Sequence, residues 1–329
     1  MPFHLHFGAE DLLRCRFAIS PLWEAHEAVR TLARPERHAY HLPWLRHSRG
    51  ALEGLDLGPL LLLMPLRGYT PDFLGRPPTG TASTFEEELA AVRATDAQQA
   101  RRDIARSLAD TPGATTSATG RALLEDPARA VRELADLTEQ VWQLLVAPQW
   151  PRLRTLLEAD VAFHARRLAD GGLEGLFGGL HPRLSWREGT LTLHRDGEHE
   201  RELGGQGLVL MPSAFAWPEV IGGFDPPWQP TVVYPARGIG GLWNTEGPHT
   251  PQALARLLGR ARAEVLLALD EPASTTTLAR RLRLAPSSVS AHLSALRGAG
   301  LLVSGRYGHQ VLYERTPLGL ALATGEGTG

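Results

Sequence analysis

Lysine is absent from this chain of 329 residues, so all 34 basic side chains are arginines. Wherever the fold needs a cation, a guanidinium supplies it, with a fixed fork of donors and no accessible neutral form. Cysteine is almost as scarce. The lone Cys15 excludes an internal disulfide and any zinc site built from several thiolates. The longest apolar run lies at Leu60–Met64, far short of the roughly 20 residues that a membrane-spanning helix needs. The N-terminus, MPFHLHFGAEDLL, lacks the basic stretch and long apolar core of a secretory signal. A cytoplasmic protein with no membrane partner is the expectation. Enzyme signatures are missing as well: no GxSxG, no Walker-type phosphate loop and no HExxH. Gly238–Gly241 does not open a convincing helix, so it is no dinucleotide fingerprint. A protein that is not an enzyme, with no cofactor and no metal site, is the first reading.

What is present suits a soluble globular chain of about two domains. Apolar residues make up 43% and the net charge is −2. The fold class expected is α+β: a mostly helical body with a small antiparallel sheet, followed by a C-terminal helix-turn-helix with a wing. Phe3–Phe7 alternates with period two and reads as a strand; Ala9–Ala18 reads as a helix carrying Cys15, a buried small apolar residue. Ser20-Pro21 starts a helix ending near Arg34, and Thr84–Glu87 is a capping box. Asp126-Pro127 starts another, with Val131, Leu134, Thr138, Val141 and Leu145 on one face and Pro148 ending it. A helix from Pro151 turns Leu153, Leu156, Leu157, Val161 and Leu168 inward and stops at Gly171-Gly172. From Leu184 to Trp243 compact β-type runs alternate with turns such as Arg195–Glu198, and Gly238–Pro248 reads as a linker. The domains expected are a body over 1–245, helical to 180 and strand-rich over 181–245, and a second unit over 250–322.

The second unit carries the sharpest signal. Thr250-Pro251 caps a helix to about Asp270, with Leu254, Leu257, Leu258, Ala261, Val265, Leu266 and Leu269 inward. Ser274 opens a second helix, Leu284–Pro286 is a tight turn, and a third helix runs from Pro286 to Gly298. Leu301–Val303 and Val311–Tyr313 follow as two strands around a tip flanked by Gly305 and Gly308. That order of elements builds a winged helix-turn-helix. Val289, Leu293 and Leu296 face inward at i, i+4 and i+7, which leaves Ser287, Ser290, Ala291, Ser294 and Arg297 as a slim outer stripe. A major groove about 12 Å wide admits such a face. Ser288 at the helix N-terminus and His292 beside the stripe complete the set. Arg306, Tyr307 and His309 on the wing, with Arg280 and Arg281 on the second helix, are candidate contacts to the backbone.

Charge agrees. Residues 251–320 hold nine arginines and four acids, a net of +5; the rest holds 25 and 32, a net of −7. Double-stranded DNA is therefore the partner expected, bound more weakly as salt rises. With one arginine and several serines on the stripe, direct base readout is sparse and DNA shape carries much of the specificity.

Residues 250–322 resemble the ArsR-type winged-helix repressors. The resemblance lies in Leu278, Ala279 and Leu282, then Val289, Ser290, His292, Leu293, Leu296, Ala299, Gly300 and Leu301, then Tyr313. The body resembles the long N-terminal region of an actinobacterial subset of those regulators, through Arg16–Glu24, Pro71–Leu74 and Tyr234–Gly238. The resemblance implies a homodimeric transcriptional regulator on an inverted repeat, nucleoid-associated, with Ser288, Ser290, His292 and the wing as DNA contacts. Two departures stand out. Ala285 replaces the usual capping Ser or Thr before Pro286, a loss of about 1 kcal/mol. The cysteine-bearing metal motif is absent, so thiolate metal sensing is not implied.

All eight tryptophans precede residue 250. Trp217, Trp228, Tyr234 and Trp243 are candidate walls of a pocket for a small effector, against the plainer reading of core packing. His4 and His6 share a strand face, with His26, His38, His41 and His47 near in sequence; solvated surface histidines are the expectation. Two other readings stay open: an effector- or protein-binding chain whose winged helix is secondary, and, least favoured, an enzyme fused to a winged helix.

Overall fold

Capping side chains set the main helix starts of the body. The computed structural model describes residues 3–65, 68–81, 83–194, 199–223, 228–243 and 250–324. Its helices in the first half are α1 Ala9–Leu12, α2 Pro21–Ala33, α3 Leu42–Ala51, α4 Gly58–Leu63, α5 Phe85–Arg93, α6 Ala97–Ala109, α7 Ala118–Glu125 and α8 Pro127–Val141. Ser20 Oγ accepts the Trp23 amide at 3.0 Å, and Asp126 Oδ1 accepts the Arg129 amide at 2.9 Å. Thr84 and Glu87 bond each other's amides at 3.2 and 2.9 Å, as the capping box requires. After a π turn at Trp142–Val146, α9 runs Trp150–Leu180. The helical core gathers Leu22, Val29, Leu60, Ile104, Leu134, Val141 and Leu153 around Phe215 and Trp44.

Strands β1 Phe3–His6, β2 Arg16–Phe17, β3 Leu184–Arg187, β4 Thr190–Leu193, β5 His199–Glu202, β6 Val209–Ser213, β7 Ile221–Gly223 and β8 Thr231–Pro235 form two sheets. Their orders are β3-β4-β1-β5 and β2-β6-β8-β7. In the first, Phe3, Leu5, Leu191 and Leu193 turn inward onto Leu176, Phe177 and Leu180 of α9. In the second, Leu210 and Val232 join that cluster, while Val209, Met211 and Val233 face Ala18 and Trp23. Burial on both faces explains the unbroken apolar runs of β6 and β8. Those two pair in parallel, as do β2 with β6 and β1 with β5; the remaining body pairs are antiparallel. The α+β class stands, with antiparallel pairs, and parallel pairing is the addition.

Several boundaries differ from expectation. The helix expected over Ala9–Ala18 stops at Leu12, because sheet pairing takes the next amides: Arg16 N bonds Leu208 O and Ala18 N bonds Leu210 O, each at 3.0 Å. Cys15 is half-buried beside that strand, and burial pushes its thiol up to about 11. Gly172 breaks α9 with φ 58° and ψ −156°, yet helix resumes to Leu180, and Leu168 is 36% exposed. The expected linker is packed in its first part, where Ile239, Leu242 and Trp243 are buried; its remainder, and the turn Arg195–Glu198, lie outside the described residues. His26 and His41 are not solvated: His26 Nε2 meets Thr138 Oγ1 at 3.2 Å, and His41 Nε2 meets Ala214 O at 3.0 Å.

The last third contributes α10 Thr250–Leu258, α11 Arg260–Leu267, α12 Thr275–Leu282, α13 Pro286–Gly298, β9 Leu302–Tyr307, β10 Gln310–Arg315 and α14 Pro317–Thr324. One helix was expected to Asp270; Gly259 at φ 83° and ψ 146° divides it, and Leu257 is 68% exposed rather than inward. The cap expected at Thr250 involves a side chain outside what the structure describes. Leu254, Val265, Leu266, Leu278, Val289, Leu293, Leu296 and Leu302 form one apolar cluster. Among the described residues no helix is long and apolar enough to cross a membrane.

Candidate nucleic-acid interface

Short-range chemistry shapes the helix-turn-helix. Ser274 caps α12 by accepting the Thr277 amide at 3.2 Å. Arg283 takes the left-handed conformation at φ 56° and turns the chain, and Leu284 N bonds Ala279 O at 3.0 Å. Pro286 occupies the first turn of α13, where its missing N–H costs nothing. Ala285 before it makes no side-chain cap. Gly300, at φ 72°, ends the helix, and Leu301 N reaches Leu296 O at 2.9 Å, a Schellman closure.

The helix then divides by face. Val289, Leu293 and Leu296 are buried. Ser287, Ser288, Ser290, Ala291, Ser294 and Arg297 are exposed together, and His292 is half-buried. Arg297 Nη1 donates to Ser304 Oγ at 3.2 Å, tying the end of the stripe to the wing.

Pairing in the wing fixes which way its side chains point. Arg306 pairs with Val311 and Ser304 with Tyr313; Tyr307 pairs with Gln310, Gly305 with Leu312 and Val303 with Glu314. Alternation puts the first set on one face and the second on the other. Arg306, Val311 and His309 are exposed. Tyr307 instead meets the body: its ring lies 5.4 Å from Trp217 and 6.0 Å from His181, with the Arg183 guanidinium 5.3 Å from its centre.

The arginines likewise separate into two groups. Arg280, Arg297 and Arg306 are exposed. Arg281 is engaged inside its own unit, bonding Asp270 at 2.7 Å, Glu271 at 2.6 Å and the Ala268 carbonyl at 2.6 Å. Arg315, which sequence reasoning passed over, is buried and donates to the Leu266 and Leu267 carbonyls at 3.0 and 2.9 Å. Both satisfy carbonyls at the end of α11, so part of the basic excess belongs to the fold.

The four aromatic candidates of the body are not brought together. Trp243 donates to His41 Nδ1 at 2.9 Å and stacks on Trp44 in the helical core. Tyr234 donates to Asp160 Oδ2 at 2.9 Å between the sheets and α9. Trp228 lies under the Arg76 guanidinium at 4.6 Å, and Trp217 packs against the wing. His4 and His6 bond Thr192 and Thr190 at 3.0 and 3.1 Å. Among the described residues no group of three His, Cys, Asp or Glu could hold a metal ion.

Two families match separate stretches of the chain. A helix-turn-helix domain family matches residues 260–304, and a family of unknown function, DUF5937, matches residues 78–240. Similar relatives are the HTH-type transcriptional regulator CmtR of Mycobacterium bovis and of two strains of Mycobacterium tuberculosis. Each is 48% identical over 80 residues, which is 22% of this chain and 67% of the relative. The chain belongs to the ArsR-type winged helix-turn-helix regulators. No solved structure matches this ArsR-type chain. The CmtR relatives match about a fifth of this chain.

Proposed function

We propose that this ArsR-type chain is a sequence-specific DNA-binding repressor. It acts as a homodimer on an inverted repeat, working at the nucleoid, with a reading unit over 250–322 and a regulatory body over 1–245. One observation carries the reading. The outer stripe of α13 and Arg306 of the wing are exposed together, while Val289, Leu293 and Leu296 on the inner face of α13 are spent on the core. Recognition helices of such a dimer lie one DNA turn apart, about 34 Å. Leu257 and Leu318, 68% and 52% exposed on two helices that pack together, offer an apolar patch to a second copy.

The body suits control by a small effector. The corner that favours this holds Trp228 over Arg76, with buried Arg76 Nε and Asp103 Oδ2 both lacking a hydrogen-bond partner. A polar ligand or water there would satisfy both. A gel shift with the chain's own upstream region tests the main reading. The expected result is a complex at submicromolar protein that weakens steeply with salt; no salt-sensitive complex at micromolar protein overturns it.

A further inference from the structure

The reading unit is fastened to the body at its wing. Besides the Tyr307 contacts, Trp217 Nε1 donates to Glu314 Oε2 at 2.5 Å, and Arg315 N donates to Tyr40 Oη at 3.4 Å. Leu312 is buried with Tyr40 and Trp217. At the tip, a Cβ on Gly308 would lie 2.3 Å from the Pro182 carbonyl oxygen, so body and wing backbones touch. The side-chain contacts among these use the face of Tyr307, Leu312 and Glu314. Arg306 lies on the opposite face, open to solvent.

That arrangement has a mechanical consequence. A two-stranded hairpin is only marginally stable alone. One held by buried rings and a charge-assisted hydrogen bond has lost its freedom before DNA arrives, which lowers the ordering cost of binding. The docked wing leaves both DNA-facing elements uncovered, so docking suits reading and does not block it.

We propose that Trp217 and His181 of the body are positioning residues for DNA reading: through Tyr307 and Glu314 they hold the wing so that Arg306 is aligned beside α13. The clasp is also the route by which a change in the body reaches the operator contact. This inference rests on the DNA-reading function proposed above.

The test pairs hydrogen exchange of the wing in the free full-length protein with affinity for the operator duplex. Trp217→Leu and Glu314→Ala should each speed exchange over residues 302–315 about tenfold and weaken DNA binding about fivefold, with the salt slope unchanged because no phosphate contact is lost. Glu314→Gln keeps an acceptor for Trp217 and should restore both readouts. Glu314→Ala, on the wing, serves where Trp217→Leu fails to fold. Unchanged wing exchange in the folded variants overturns the clasp. Faster exchange with equal or tighter DNA binding overturns the positioning role. Absence of any salt-sensitive complex with the wild-type chain overturns the repressor reading itself, and the exchange data then still report whether the clasp exists.

Discussion

Tyr234 donates its hydroxyl to Asp160 across 2.9 Å, in a site closed to solvent. The other carboxylate oxygen takes the Arg237 amide at 3.0 Å. Burial is the main force on Asp160 and lifts its pKa to about 6; the two hydrogen bonds oppose it. Tyr234→Phe therefore leaves a buried, ionised carboxylate one donor short at pH 7, an expected loss of about 1–3 kcal/mol. Urea unfolding measures it. The loss should shrink at pH 5, where Asp160 is protonated in the fold; an equal loss at both values contradicts this account.

Stability of the whole chain should peak between about pH 6.5 and 7, because two sets of buried groups pull in opposite directions. Burial lowers the pKa of His26, His41 and His181 to about 3, and of His38 and His164 to about 4. The unfolded chain protonates these five histidines near 6.5 while the fold does not, so stability falls as pH drops below about 6.5. Burial raises Glu24 to about 8 and Glu88 to about 7. Their folded forms keep protons that the unfolded chain has released, so stability falls as pH rises between about 4.5 and 8. With Asp160, three carboxylates oppose five histidines on the acid side, and the histidines win. Thermal melts from pH 5 to pH 8.5 check the shape; a monotonic rise to pH 8.5 contradicts it.

How far the sequence could be read depended on whether a signal was local. The third reading helix was predicted over Pro286 to Gly298 and is found there, because proline, the i, i+4, i+7 apolar trio and glycine all act within one helix. Likewise the starts at Ser20, Thr84 and Asp126 are set by a side chain three residues or fewer from the amide it caps. The division at Gly259 was not legible, since a single glycine inside an apolar pattern is equally consistent with a continuous helix. Pairing direction in β6 and β8 was hidden for another reason: an unbroken apolar run reports burial on both faces and says nothing of the partner strand. Their place near the motif marks Tyr307 and Arg281 as candidate backbone contacts. Their actual partners, Trp217 and the pair Asp270 and Glu271, come from tertiary geometry that no spacing encodes.

Two arginines separate binding from folding. Arg306→Ala should weaken operator binding and lower the salt slope by about one, as loss of one phosphate contact does, with thermal stability unchanged. Arg281→Ala should leave the salt slope in place and lower stability by about 1 kcal/mol, since it removes bonds to the Ala268 carbonyl and two partly exposed carboxylates. Fluorescence anisotropy across a salt series, beside thermal melts, distinguishes them. Reversed outcomes would put Arg281 at the DNA and Arg306 in the fold.

The exposed pair Leu257 and Leu318 offers a direct check on assembly. Their solvent-facing positions make Glu tolerable in the monomer. The double variant Leu257→Glu, Leu318→Glu should sediment at the monomer mass and bind a single half-site about as well as the full repeat. A variant that stays dimeric would move the interface elsewhere on the chain.

Ala285 is the weak joint of the reading unit. It stands at φ −64° and ψ 137°, the extended geometry of a helix cap, yet no side chain there meets the free amides of Ser287 and Ser288. Its backbone already suits a capping residue, so Ala285→Ser adds an acceptor without moving the chain. The expected gain is about 1 kcal/mol in unfolding free energy. The same oxygen would compete with an anion for the same amides, because a phosphate at the start of α13 would need them. Ala285→Ser should therefore stabilise the chain and weaken its DNA complex together, about twofold in affinity. Calorimetry with anisotropy on one preparation decides the matter: a variant that melts higher and binds DNA as tightly as wild type shows that the N-terminal amides of α13 are not a phosphate contact.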